Sequence, residues 1–210
     1  MSNYQLFHND LPTQVLKSFK GDISIDTETL GLNIKRDRLC LVQMRNESNK
    51  KIYLIKFDSK PLAKNSKNLK ILMENKSLTK IFHYARFDVA ILKENLNINV
   101  KNIFCTKVAS KLTRTYSSKH GLKDLVKEIL NMELEKNEQT SDWGKKKLSK
   151  QQIQYAINDI VYLAELKKNM EDKLLDLKRF KTFNSIMKFM DTRVELDLMG
   201  WENSDIFAHK

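Results

Sequence analysis

The segment Gly21 to Leu30 constrains the fold of this chain more than any other. In Gly-Asp-Ile-Ser-Ile-Asp-Thr-Glu-Thr-Leu, Ile23 and Ile25 alternate with polar partners at the two-residue period of a strand. Arg38 to Met44 and Lys51 to Phe57 are likewise short and rich in β-branched and apolar residues, with the turn formers Asn46-Glu47-Ser48-Asn49 between them. The three segments predict an antiparallel meander. After Pro61 the period changes: Leu62, Leu69, Leu72 and Met73 suit a helix, Thr79 to His83 a strand, and Phe87 to Leu96 another helix. From Thr106 onward the periodicity is helical, over Leu122 to Leu130, Lys150 to Leu175 and Phe180 to Met190. This order predicts an α/β domain with a mostly helical carboxy-terminal half.

Composition narrows the function classes. The chain has 210 residues, 41% of them hydrophobic, enough for one buried core and too many for a disordered tail. No apolar run reaches the roughly 18 residues of a membrane span. Neither a linker nor a repeat interrupts residues 1–210, which are expected to form one domain. Met1 to Pro12 lacks the features of a secretory signal, so a cytoplasmic location is expected. Cys40 and Cys105 show no metal or disulfide spacing and are expected as buried thiols. Lys and Arg number 38 against 26 Asp and Glu, a formal charge of +12. Two readings of that excess stand: a solvated, lysine-rich surface, or attraction for polyanions such as RNA and DNA.

The carboxylates point to chemistry. Asp26 and Glu28 lie two apart, so both leave the same face of the strand near its carboxy-terminal end. Their repulsion raises the energy of the doubly charged state unless a divalent cation neutralises it. Exposed strand faces also carry such pairs without a metal. Asp88 stands at a strand-to-helix junction, where an acid complementing the helix dipole fits equally well. Tyr155 and Asp159 are four apart on one helix face, and Asp159 is flanked by Ile157, Ile160 and Val161. An acid beside an apolar stripe is costly to bury unless paired or bound to metal, which makes Asp159 the most informative of the set.

Taken in order, Asp26-x-Glu28, Asp88 and Tyr155-x-x-x-Asp159 resemble the DEDDy class of 3′-to-5′ exonucleases, the ribonuclease D group within the ribonuclease H-like fold. Gln43 in Leu-Val-Gln and Ser141-Asp142-Trp143 extend the resemblance. Within that class the chain is similar to the nanoRNase C family, bacterial nucleases that clear RNA dinucleotides. The similarity rests on Thr29-Leu-Gly-Leu, Arg36-Asp-Arg-Leu-Cys, Lys80-Ile-Phe-His-Tyr-Ala-Arg-Phe-Asp, Phe104-Cys-Thr-Lys, Leu112-Thr-Arg-Thr-Tyr, His120-Gly-Leu-Lys-Asp and Leu196-Asp-Leu-Met-Gly-Trp-Glu. It runs from the first strand to the tail.

The resemblance implies a ribonuclease H-like exonuclease fold with a mixed central sheet, and no additional helical nucleic-acid-binding domain after it. It also implies two divalent ions, Mg²⁺ or Mn²⁺, about 4 Å apart. Asp26, Glu28, Asp88 and Asp159 would hold them, and Tyr155 would orient the nucleophile rather than act as a base. The product would be a nucleoside 5′-monophosphate. Thr27, Leu32, His83, Tyr84, Ser141 and Trp143 are the expected substrate contacts around the 3′ end, with Leu32 either separating two bases or packing in the core. Ser141 and Asp142 also fit a helix-capping turn. Arg114, Ser117, Lys119 and His120, with Tyr116, form a basic stretch before a helix, where either a 5′ phosphate or solvent would be met.

The tail from Val194 to Phe207 is too apolar to be loose, so it docks on its own core or on another subunit. The resemblance favours a homo-oligomer, possibly an octamer. The expected substrate is short RNA, above all dinucleotides. The alternatives are trimming of longer RNA, degradation of single- or double-stranded DNA, or an inactive nucleic-acid-binding module.

Overall fold

A computed structural model describes residues 4–61, 63–134 and 141–209; Leu62, counted above into a helical pattern, and Met1 lie outside them. The strands β1 (Tyr4–His8), β2 (Asp22–Thr29), β3 (Leu39–Asn46), β4 (Ile52–Lys56), β5 (Thr79–Phe82) and β6 (Ile103–Cys105) form one mixed sheet in the order β1-β4-β3-β2-β5-β6. The predicted meander is present: β2 and β3 pair antiparallel with Asp26 opposite Gln43, and β3 and β4 pair antiparallel with Gln43 opposite Leu54. Strands β5 and β6 then run parallel to β2, so their carboxy-terminal ends reach the same edge of the sheet.

Alternation along the strands splits the apolar residues between two layers. Ile23, Ile25, Val42, Met44 and Ile55 face a core shared with α1 (Thr13–Ser18), α2 (Lys67–Glu74) and α3 (Ala85–Leu96). Leu41, Ile52, Leu54, Ile81 and Phe104 face a second core, covered by α4 (Thr106–Thr113), α5 (Leu122–Leu130), α6 (Lys150–Val161) and α7 (Leu163–Asp176). Helix α8 (Phe180–Leu196) touches both, through Phe183 on one side and Met190 and Val194 on the other. Cys40 and Cys105 are buried free thiols, as expected. Among the described residues no helix is long and apolar enough to cross a membrane.

Three expectations change. The strands β1 and β6 have no counterpart in the sequence reading. The helix expected over Lys150 to Leu175 is two helices, because the chain turns at Tyr162 between α6 and α7. The first of them starts at a capping box, in which Ser149 Oγ accepts from the Gln152 N–H at 3.0 Å and Gln152 Oε1 accepts from the Ser149 N–H at 2.9 Å.

The tail docks on its own chain in part. The buried Asp197 carboxylate accepts from Arg86 Nε and Nη2 at 2.6 and 2.7 Å and from Arg193 Nε and Nη2 at 3.0 and 2.5 Å. The same arginines donate onward to the carbonyls of Glu202 and Trp201. Beyond this latch, Met199 and Phe207 remain 70% and 78% exposed. Breaking one partner of a buried ion network leaves the other charges uncompensated. Asp197→Asn is therefore expected to lower stability by roughly 2–4 kcal/mol, measured by urea unfolding, and to speed proteolysis of the tail; a change under about 0.5 kcal/mol would count against the latch.

Candidate active site

The acids meet where the parallel strands end, which is also where ligands sit in open α/β sheets. Asp26 and Glu28 leave the face of β2 that α6 covers, and α6 brings Asp159 down upon them. One carboxylate oxygen from each of Asp26, Glu28 and Asp159 lies within 4.8 Å of the others. Between Glu28 and Thr29 the pairing with β3 shifts register, a bulge that bends the strand just beyond the acids. Gln43, directly across from Asp26, donates from Nε2 to Asp26 Oδ2 at 2.6 Å and fixes that carboxylate. Asp88 arrives from the opposite layer, in the first turn of α3, and accepts from Thr27 Oγ1 at 2.7 Å. It is 3% exposed.

Electrostatics mark this cluster out. Burial pushes the Asp26 carboxyl well above the usual carboxylate range, and the neighbouring Asp88, Asp159 and Glu28 push it further. Glu28 is raised in the same way, by burial first and then by Asp159 and Asp88. Asp88 is pushed up to about 7, mainly by burial, against the Thr27 hydroxyl, which favours its charged form. Burial also raises the Tyr155 hydroxyl, and Asp159, Glu28 and Asp26 add to the effect. Oxygen donors, crowded negative charge and a spacing short enough to share an ion fit a hard divalent cation. Asp26, Glu28 and Asp159 are the residues able to hold one directly, with Asp88 behind them.

A cleft of about 620 Å³ opens above the cluster. It gathers Asp26, Thr27, Glu28, Leu32, His83, Tyr84, Ser141, Trp143, Tyr155 and Asp159, most of the residues singled out in the sequence. Leu32 is 84% exposed at its lip, so core packing does not explain it. The loop that carries Leu32 is tied by Asp37, whose Oδ2 accepts from the Asn33 N–H at 3.0 Å. That carboxylate would lie 2.3 Å from a Cβ at Gly31, so a side chain there would have to push Asp37 aside. His83 Nδ1 meets Thr106 Oγ1 at 2.9 Å. Tyr84 adopts the left-handed conformation (φ 72°, ψ 43°), unusual for an aromatic residue, with Lys107 Nζ 4.3 Å from its ring centre. Trp143 is buried, its ring 6.0 Å from that of Tyr155. Ser141 Oγ accepts from Gln152 Nε2 at 2.8 Å, joining the 141–143 turn to the start of α6.

The basic stretch is placed differently. Arg114 is fully buried, and its guanidinium donates to Glu128, to Ser110 Oγ at 3.0 Å and to the Lys119 carbonyl at 2.6 Å. Its charge is spent inside the fold rather than in the cleft. Ser117, Lys119 and His120 also stand outside the cleft wall, which resumes at Gly121. Among the described residues the lysines that do line it are Lys107 and Lys123, which fall inside two of the sequence motifs but are not among the expected substrate contacts. Lys107 sits beside Tyr84 because α4 follows directly on the three-residue β6, a strand too short to leave a pattern.

Comparison with known proteins places the chain among nucleases. A DNA polymerase I from Aquifex aeolicus is 35% identical over 157 residues, 73% of this chain and 24% of that protein. A ribonuclease D from Sphingobium indicum is 29% identical over 155 residues, 72% of this chain and 38% of that protein. The chain thus spans well under half the length of these relatives. Brucella melitensis NrnC bound to pGG superposes with a TM-score of 0.91 at 42% identity over 100% of both chains. The same Brucella protein with bound Mg²⁺ gives 0.89 at 42% identity, again over 100% of both. The fold is the ribonuclease H-like fold of these nucleases. Residues 7–175 match the family described as 3'-5' exonuclease, and the chain belongs to that family as a ribonuclease D-like member.

Proposed function

We propose that this protein is a 3′-to-5′ exoribonuclease that uses two divalent ions, Mg²⁺ or Mn²⁺, and prefers very short RNA, above all 5′-phosphorylated dinucleotides. The observation that carries the reading is its likeness, over the full length of both chains, to a protein bound to pGG. The carboxylate cluster at the floor of the cleft supplies the matching chemistry.

Asp26, Glu28 and Asp159, with Asp88 behind them, would hold the divalent ions, which would supply Lewis acidity at the scissile phosphate and lower the cost of generating a nucleophile from water. The protein's own groups do the rest. Gln43 and Thr27 hold Asp26 and Asp88 in place. Tyr155, whose proton is held more tightly than in a free tyrosine, serves as a hydrogen-bonding guide for the attacking water and not as its base. Leu32, Tyr84 and His83 frame the 3′ nucleotide, with Trp143 and Ser141 on the opposite wall. Lys107 and Lys123 attract the phosphates. Attack of water at the terminal phosphorus breaks its bond to the 3′ oxygen and releases a nucleoside 5′-monophosphate.

Residues 1–210 form one exonuclease domain in this reading, located in the cytoplasm, where RNA is turned over. The exposed Met199, Ile206 and Phe207 support association with further copies of the chain, an octamer being the expected assembly. A second reading, trimming of longer RNA or of DNA, is favoured by the resemblance to ribonuclease D and DNA polymerase I.

Substrate length separates the two. With Mg²⁺ and 5′-labelled RNAs of two to seven nucleotides, kcat/KM is expected to fall at least about tenfold beyond two nucleotides, the cost of losing one well-made phosphate contact; a flat profile would favour the second reading. Asp26→Asn and Asp159→Asn are each expected to slow hydrolysis about a thousandfold or more, and Tyr155→Phe about a hundredfold, in single-turnover assays. Rates within a factor of about three of the original protein would place the reaction elsewhere.

Metal and pH are linked through the acids. A carboxyl whose pKa is raised on folding stabilises the protein below its ordinary value, and that contribution is lost as pH rises through the folded value. For Asp88 that value is about 7. The metal-free protein is therefore expected to lose thermal stability progressively between about pH 4 and 7 and to level off above that, and Asp88→Asn to flatten the loss. Mg²⁺ should restore stability, by about 2.7 kcal/mol at a hundredfold excess over Kd, and more at pH 8 than at pH 6. A melting temperature indifferent to Mg²⁺ would contradict the assignment of the cluster.

A further inference from the structure

We propose that Arg45 is a positioning residue that sets the height of helix α6, and with it Asp159, over the carboxylates of β2. The inference rests on the metal reading of the cluster and adds to it a residue outside the cleft. Arg45 lies on β3 opposite Ser24, two residues beyond the Gln43 that holds Asp26, and on the same face of the sheet. Its Nη1 donates to the carbonyl of Val161, the last residue of α6. Val161 is two residues from Asp159, about 3 Å along the helix axis.

The need for such an anchor follows from how α6 ends. Its last turn runs out of the regular i+4 donors of a helix interior, the Tyr162 N–H reaching the Ile160 carbonyl instead, and the chain turns at Tyr162 into α7. At the other end, Ser149 caps the helix and Gln152 ties it to Ser141 and to the Asp142 carbonyl. The carboxy-terminal end depends on Arg45, whose positive charge also complements the helix dipole there. Glu47 Oε2 stands 3.6 Å from the guanidinium and keeps it over the sheet. Strand β3 thus sets both halves of the cluster: Gln43 fixes the acid on β2, and Arg45 fixes the helix that carries its partner. A divalent site tolerates displacements of only a few tenths of an ångström, so a helix end that drifts costs affinity for the ion before it costs the fold.

The test is Mn²⁺ binding, followed by electron paramagnetic resonance of the free ion, on the full chain carrying Arg45→Met, Arg45→Lys or Lys167→Met. The third breaks an ion pair between α7 and Asp22 of β2, 3.2 Å long, and serves as a control for stability alone. Arg45→Met is expected to weaken Mn²⁺ binding about tenfold or more, as loss of a residue supporting a metal ligand does. Arg45→Lys, which keeps the charge but loses the planar fork, should weaken it by an intermediate factor of about three to five, and Lys167→Met should leave it within about twofold at a comparable fall in melting temperature. High Mn²⁺ should restore turnover in Arg45→Met. If Arg45→Met lowers the melting temperature but binds Mn²⁺ as the original protein does, the positioning role is refuted. If Arg45→Met does not fold, the comparison of Arg45→Lys with Lys167→Met decides: equal affinities refute the proposal, and a weaker Arg45→Lys supports it. An original protein that takes up no Mn²⁺ overturns the metal reading itself, and this inference with it.

Discussion

Carboxylates held close together in a partly dry cleft repel one another, and most of what surrounds the cleft serves to impose that proximity. Asp26 and Glu28 are brought together by the pleat of one strand, Asp88 comes from the layer beneath and Asp159 from the layer above. Left alone, such a cluster protonates or opens. It stays closed here because three of its four members are held by a neutral donor or by an anchored helix: Gln43 on Asp26, Thr27 on Asp88, and the doubly pinned α6 behind Asp159. The protein is thus prepared for a cation at the expense of its own stability.

The two-layer arrangement explains why the cleft is where it is. Parallel strands β2, β5 and β6 end at one edge, and the segments leaving that edge supply its walls: the Leu32 loop after β2, His83 and Tyr84 after β5, and Lys107 after β6. Arg38 reaches from the start of β3 to the Phe57 carbonyl at 2.8 Å and to the Gly144 carbonyl at 3.5 Å, joining the turn that bears Trp143 to the rest of the sheet. The cleft is assembled from loops, but each loop is tied to a strand or helix that does not move independently of the acids.

Much of this was legible in the chain itself. The three strands of the meander, the helix Leu122–Leu130 and the acid-bearing positions on β2, α3 and α6 follow from period and spacing, because burial on one face leaves a repeat. The missed pieces left none. Strand β6 has three residues, and β1 is an edge strand whose Tyr4 and Leu6 are exposed, so neither shows a buried periodicity. The turn at Tyr162 has no proline or glycine to announce it and became visible only with the packing of α6 and α7 against different parts of the sheet. Arg114 was misplaced for a related reason. Its partner Glu128 is 14 residues away on another helix, and no local pattern tells an arginine committed to an internal ion pair from one waiting for phosphate.

The packing around the cleft has a function only if the cluster of acids takes a cation. Anomalous diffraction from crystals grown with Mn²⁺ measures this directly. The structure predicts a peak bounded by the carboxylates of Asp26, Glu28 and Asp159, with Asp88 close behind. No peak at that position, in crystals whose protein still hydrolyses RNA in the presence of a chelator, would contradict it.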